Sequence, residues 1–329
     1  MAISIRSFAK INIGLRIGPP RDDGFHELRT IYQTIALCDV VRVEVARGIG
    51  IDIYSKDSRV PADETNTCYR IAERVLRAFK VRSKVRITIE KNLPLQGGLG
   101  GASSNAVATM LALEKALGRE LAASERLRMA GEVGSDVPLF LVGGTVLGIG
   151  RGEQVFPLED LPSLHCVLAT PAVGVSTPQA FADWDQKQAD DSKLTARNGS
   201  DKINMFSHSI FEWLSGSDFS PSGVPGKGWD RAEALLLDLV RTGIENDFEN
   251  VVFPRYPAIR EVKRALERTG SQYVSLSGSG STVYGLFGNK EDAGKAAESL
   301  QEKGITAHAT VTLPRAKYWK EIFKAGRSG

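Results

Sequence analysis

Positions 3–8 alternate apolar and polar residues, and a second alternating run follows over 9–17. The chain therefore opens on strands with one buried face. Pro19-Pro20-Arg21-Asp22-Asp23-Gly24 predicts a turn. Residues 26–37 fit strand or loop equally well, whereas 40–45 and 49–54 read as further strands. The period then changes: Ile71, Val75, Leu76 and Phe79 share one face of a helix predicted over 67–79. Alternation returns over 85–90. Beyond it, Ala106, Val107, Met110, Leu111, Leu113 and Leu117 mark a helix over 103–117 that Gly118 is placed to end. Ser124 reads as the N-cap of a short helix reaching about residue 132, and 134–144 as a turn opening into a brief helix. A hairpin over 145–149 and 154–158 completes this half.

A domain boundary is expected near Leu161-Pro162, dividing the chain into 1–160 and 161–329, with an apolar strand at 165–169 as the first element beyond it. Residues 183–230 are rich in Asp, Ser, Gly and Lys and sparse in apolar residues. They read as an insertion, with a short amphipathic helix near 203–214 and loop around 215–228. Helices are predicted over 231–240 and 258–269, the latter closed by Gly270. A β-β-α-β ending follows: strands 273–276 and 282–287, helix 291–302, strand 305–312.

Between strand 85–90 and helix 103–117 lies Pro94-Leu95-Gln96-Gly97-Gly98-Leu99-Gly100-Gly101-Ala102-Ser103-Ser104, with four glycines in five residues. Glycines let backbone N–H groups converge with no Cβ in the way. The first N–H groups of a helix lack internal partners, and its dipole favours negative charge there. A strand, a glycine loop and a helix in that order describe a phosphate cradle. It is not a P-loop, which needs Gly-Lys-Ser/Thr after the glycines, and the spacing does not fit a dinucleotide fingerprint. A second glycine loop, Ser277-Gly278-Ser279-Gly280-Ser281, sits between the strands of the C-terminal ending.

Composition narrows the function classes. The chain has 329 residues, a net charge of +3 with acids and bases interspersed, and no run near the roughly 20 apolar residues of a membrane span. That gives no argument for nucleic-acid or membrane partners and suits a cytoplasmic protein. Three widely spaced cysteines argue against a disulfide framework or a structural zinc site. No serine-hydrolase signature or metal cluster is present.

A nucleotide cradle needs a cation near the transferred phosphoryl group and a group to orient the acceptor hydroxyl. Lys10, in an otherwise apolar strand, and Asp136, after Gly-Ser and before Val-Pro, are the candidates. On residue pattern alone, Lys10 also fits the outer face of an edge strand, and Asp136 a helix N-cap with Pro138 in the first turn. Phe25, Tyr32 and Phe181 fit either base stacking or core, and His26 either loop or ligand.

Three stretches together resemble the GHMP small-molecule kinase superfamily: Ala9-Lys10-Ile11-Asn12-Ile13-Gly14-Leu15, the loop 94–105, and Ser277-Gly278-Ser279-Gly280-Ser281-Thr282. Arg21-Asp22-Asp23-Gly24-Phe25-His26-Glu27-Leu28, Thr30-Ile31-Tyr32-Gln33 and Gly134-Ser135-Asp136-Val137-Pro138 are similar to the branch acting on 4-diphosphocytidyl-2-C-methyl-D-erythritol. The resemblance extends to about residue 290 and is weakest over 183–230.

It implies an α+β, two-domain fold, with a ribosomal-protein-S5-like N-terminal part, a ferredoxin-like C-terminal part and the site in the cleft between them. It implies ATP-dependent phosphorylation of that substrate's 2-hydroxyl, with Mg²⁺ arriving on ATP, by a monomer or weak homodimer. Lys10 and Asp136 become the catalytic pair. Pro94, Leu95, Gln96, Gly97, Gly98, Leu99, Gly100, Gly101, Ala102, Ser103 and Ser104 would form the ATP-phosphate loop, with Asn66 near the adenine. His26 would hydrogen-bond the cytidine, Tyr32 and Phe181 would cover the two faces of the cytosine, Phe25 would stand beside them, and Asn12 would face the methylerythritol. Action on another small alcohol, or a non-catalytic nucleotide-binding role, would suit the same fold.

Overall fold

The computed structural model describes residues 2–95, 97–192 and 244–324. Gln96, most of the expected insertion, and the helices predicted at 203–214 and 231–240 lie outside them. Among the described residues, two antiparallel-rich sheets organise the fold. The first holds β1 (Ala2–Pro20), β2 (His26–Ala46), β3 (Gly50–Ser55), β4 (Lys84–Glu90), β5 (Thr145–Gly150) and β6 (Gln154–Pro157). The stretch 26–37, ambiguous in sequence, is continuous strand. It pairs with β1 on one side, and with β5 over Leu28–Gln33 on the other, so tertiary pairing supplies what local propensity does not. The second sheet has the order β10-β7-β9-β8, built from β7 (His165–Thr170), β8 (Tyr273–Leu276), β9 (Val283–Phe287) and β10 (Thr306–Val311).

Helices α1 (Thr67–Phe79), α2 (Gly101–Leu117) and α3 (Ala123–Val133) follow the predicted periodicity. Ser124 does not cap α3: the N-cap position is Ala122, with no side-chain hydrogen bond. Apolar side chains cover most of α2, which is buried from Ser104 to Glu114 beside β1, β2 and α1. A helix apolar on nearly all sides belongs in a core, and its N-terminus is thereby held at a set place at the edge of the first sheet. Beyond β7, α4 (Thr177–Ser192) is a regular helix across the start of the expected insertion, anchored by buried Ala180 and Trp184. Helices α5 (Glu249–Arg255), α6 (Pro257–Glu267) and α7 (Lys290–Glu302) pack against the second sheet.

An apolar cluster joins the sheets: Ala9, Ile11, Ile13, Ile31 and Ile35 meet Cys166, Leu168, Tyr284 and Leu286. The chain's end differs from expectation. Helix α8 (Arg315–Ile322) returns to the first core, where Tyr318 donates to the Phe140 carbonyl at 2.7 Å and the Trp319 indole to that of Val142 at 3.0 Å. A unit comprising 161–329 therefore does not hold its own last helix. Among the described residues, no helix is long and apolar enough to cross a membrane.

Candidate active site

Strand alternation builds the centre of the cleft. Successive residues of a strand face opposite ways, so Ala9, Ile11 and Ile13 enter the inter-sheet core while Lys10 and Asn12 share the other face. Register adds a third group: Asn12 lies directly opposite Tyr32 of β2, and opposed residues of antiparallel strands share a face. Lys10 is only 2% exposed, so it is not an edge-strand surface residue. Its Nζ donates to Asn12 Oδ1 at 2.6 Å and stands 3.5 Å from Asp136 Oδ2. Burial pulls the Lys10 ammonium below the ordinary lysine range, and the Asp136 charge works against that pull.

Asp136 does not cap a helix. The single 3₁₀ turn Pro138–Leu141 has Val137 at its N-cap, with no side-chain hydrogen bond. The Asp136 carboxylate instead accepts from the Tyr32 hydroxyl at 3.1 Å on Oδ1 and faces Lys10 with Oδ2.

Two expected substrate contacts change at this point. Asn12 is 1% exposed, and its amide accepts from Lys10 and donates to Thr30 Oγ1 at 2.8 Å. Both ends of its amide are thus engaged by neighbouring side chains. Tyr32 is 2% exposed, its ring packed so closely on Gly148 and its hydroxyl on Gly152 that a Cβ at either glycine would collide with it. A ring so enclosed has no face for cytosine.

The two glycine loops dock on each other beside this centre. The Lys10 N–H donates to the Leu99 carbonyl at 3.0 Å, the Ser277 hydroxyl to that of Gly98 at 2.9 Å, and the Thr282 N–H to that of Gly97 at 3.3 Å. Gly98 has φ +71, and a Cβ on it would collide with the Ser277 carbonyl oxygen. At Gly100, with φ +69, a Cβ would come 2.9 Å from the Phe140 ring and 3.1 Å from Lys10 Cγ. Glycine is required where the backbone is left-handed and the neighbours are this near.

The first of these loops leads into the N-terminus of α2, and the first N–H groups of a helix lack partners within it. A cradle with no room for Cβ atoms, opening on a helix N-terminus, fits a nucleotide phosphate. Not every residue of the expected loop turns toward it. The Leu99 side chain is core, and the Ser104 hydroxyl accepts from that of Ser7 at 2.8 Å. Asn66 caps α1, accepting from the Cys68 N–H at 2.9 Å and donating to the Pro61 carbonyl at 2.7 Å. The neighbouring Thr67 hydroxyl donates to the Ala102 carbonyl at 2.7 Å, so the start of α1 is tied to that of α2.

Asp39, unremarkable in sequence, holds the loop from behind. It is fully buried, accepts from the N–H groups of Asn92 and Leu93 at 2.8 Å each, and pairs with Lys91 and the Asn105 amide. A buried charge left without its partner costs about 3–5 kcal/mol, so this network firmly ties the loop's start to the helix after it. The signal was slight: an Asp at the junction of two strand runs.

At the far end of the cleft, Phe181 and Asp185, one turn apart on α4, both meet His26. The rings of His26 and Phe181 stack at 5.1 Å and 10°, and His26 Nε2 lies 2.7 Å from Asp185 Oδ1. Phe181 rests edge-on against Phe248 at 5.0 Å. His26 thus covers one face of Phe181. Phe25 is 48% exposed, with the Arg151 guanidinium 4.8 Å from its ring centroid. The exposed aromatic of this region is Phe25, not Tyr32.

Comparison with known proteins agrees with this architecture. Residues 66–144 match the GHMP kinases N terminal domain and 232–306 the GHMP kinases C terminal domain. A 4-diphosphocytidyl-2-C-methyl-D-erythritol kinase of Solibacter usitatus is 36% identical over 95% of this chain and 90% of its own length. One from Caldicellulosiruptor saccharolyticus is 32% identical over 90% and 92%. The crystal structure of a 4-(cytidine 5'-diphospho)-2C-methyl-D-erythritol kinase superposes with a TM-score of 0.70 at 30% identity, covering 94% of this chain and 99% of that one. A homoserine kinase from Cytophaga hutchinsonii, at 20% identity and TM-score 0.71 over 96% of both chains, shares the fold. The chain belongs to the GHMP kinase family, a two-domain fold of small-molecule kinases, alongside the 4-diphosphocytidyl-2-C-methyl-D-erythritol kinases it matches over nearly its whole length.

Proposed function

We propose that this chain transfers the γ-phosphoryl group of ATP to the 2-hydroxyl of 4-diphosphocytidyl-2-C-methyl-D-erythritol, giving the 2-phosphate and ADP in the non-mevalonate route to isoprenoid precursors. The observation that carries the mechanism is the Lys10–Asp136 pair, 3.5 Å apart, beside the docked glycine loops. The N–H groups of 97–101 and of the first turn of α2 hold the ATP phosphates. Asp136 accepts the proton of the attacking hydroxyl as its oxygen bonds to the γ-phosphorus and the bond to ADP breaks. Lys10 faces the Asp136 carboxylate and offsets charge developing on the transferring group. Positioning and charge stabilisation dominate such a loose transition state. Mg²⁺ carried on ATP supplies further neutralisation of the phosphates. Phe181, Phe25 and His26 form the cytidine end, and the two domains divide near residue 161, with α8 returned to the first of them.

The test is ADP release with ATP and magnesium, supplying 4-diphosphocytidyl-2-C-methyl-D-erythritol, mevalonate, homoserine and galactose in parallel, with Lys10→Ala and Asp136→Ala as blanks. Turnover with the cytidine substrate alone, abolished in both blanks, is expected. Turnover with a different alcohol would discard the cytidine end, and silence with all four from a folded, ATP-binding chain would discard the kinase reading.

A further inference from the structure

The phenol of Tyr32 has no part in the reaction as described above, yet it is buried against the one carboxylate that does. Its hydroxyl donates to Asp136 Oδ1 at 3.1 Å while Lys10 faces Oδ2 at 3.5 Å, so the two oxygens of one carboxylate meet different neighbours. The ring has little freedom to move. Tyr32 is held in register between β1 and β5, opposite Asn12 and Val146. Gly148, two residues along β5 on the same face, and Gly152, in the following turn with φ +97, leave room for this ring and no Cβ of their own. The Lys10 ammonium stands 5.6 Å from the ring centroid, a distance at which a cation and a ring face attract. Burial and the Asp136 charge together push the phenol's pKa well above its ordinary value, so it stays a donor throughout the working pH range.

We infer that Tyr32 is a positioning residue for Asp136: by occupying Oδ1 it fixes the rotation of the carboxylate and leaves Oδ2, beside Lys10, to receive the acceptor proton. The Asp136 side chain is one third exposed, and among the described residues Tyr32 is the group that holds its Oδ1. A general base acts only when its lone pair is aimed at the proton it takes, within about 3 Å. A hydrogen bond to the second oxygen removes the alternative rotamers before substrate arrives, which is preorganisation rather than binding. The inference rests on the reading of Lys10 and Asp136 as the catalytic pair, but not on which alcohol is the substrate.

Tyr32→Phe removes the hydroxyl and keeps the ring. With whichever alcohol the chain phosphorylates, kcat is expected to fall about tenfold while KM for ATP and for the alcohol stays within about twofold, since one hydrogen bond acting on the catalytic step is removed. The second arm combines it with Asp136→Asn. If Tyr32 acts only through the carboxylate, adding Tyr32→Phe to Asp136→Asn lowers the residual rate no further. A Tyr32→Phe chain with wild-type kcat, a full additive loss on the Asp136→Asn background, or a rise confined to KM would each overturn the inference. An Asp136→Asn chain that kept its turnover would instead overturn the catalytic pair itself. Matching melting temperatures separate these results from a folding defect.

Discussion

The two ends of the cleft are built on opposite plans. At the reacting end, Lys10, Asn12, Tyr32 and Asp136 are short-range partners on paired strands and one tight turn, and three of the four are buried. At the other end, Phe25 is exposed on a turn, and Phe181 reaches His26 from a helix outside the first sheet. The reacting end resists displacement because each polar group has a set partner. At the far end the rings of His26 and Phe181 stack with Asp185 on His26, while Phe25 stands exposed. Chemistry demands sub-ångström placement, whereas stacking tolerates sliding.

Three experiments press on that contrast. The largest effect is expected from Gly98→Ala, whose Cβ would drive the two glycine loops apart at the Ser277 carbonyl. A shift of an ångström at the cradle should lower kcat/KM for ATP about a hundredfold. Steady-state kinetics against ATP checks it, and a wild-type value would mean that the loops need not dock. Phe181→Ala should act on the other end only, raising KM for the cytidine substrate about tenfold with kcat little changed, as loss of one stacked face does. An unchanged KM would remove Phe181 from the recognition end, and a fall in kcat instead would erase the division of labour.

The smallest effect lies in the pH profile. Lys10 is protonated below its pKa, and burial has lowered that value from the ordinary 10.5, so kcat should decline on the alkaline side before pH 10.5 is reached. A profile flat to that pH would mean that Asp136 fully offsets the burial.

Much of this site was legible in the residues. The strand–glycine loop–helix order could be read off directly, because glycine content, helix periodicity and a helix N-terminus are local properties. Lys10 and Asp136 could be named as candidates from type and context, and the family resemblance placed them together. Tyr32 and Asn12 pack differently from the expectation for one reason. Both belong to the right cluster of residues, but whether a side chain turns to a ligand or to a neighbour depends on register and packing. Asn12 opposes Tyr32 only because β1 and β2 pair as they do, with register shifts on either side.

Asp39 and α8 were missed on similar grounds. Asp39 gains its role from backbone N–H groups more than fifty positions away in the chain, and α8 from a carbonyl of the 3₁₀ turn after Asp136. By itself the sequence determined which segments are strand or helix where periodicity is strong, and that a glycine loop lies between a strand and a helix N-terminus. Only the tertiary structure decided that 26–37 is strand, that α4 carries Phe181 and Asp185 to His26, and that Tyr32 serves a carboxylate rather than a base. Periodicity reports which face of an element is buried. What lies against that face is set by contacts between residues far apart in the chain, to which local pattern is blind.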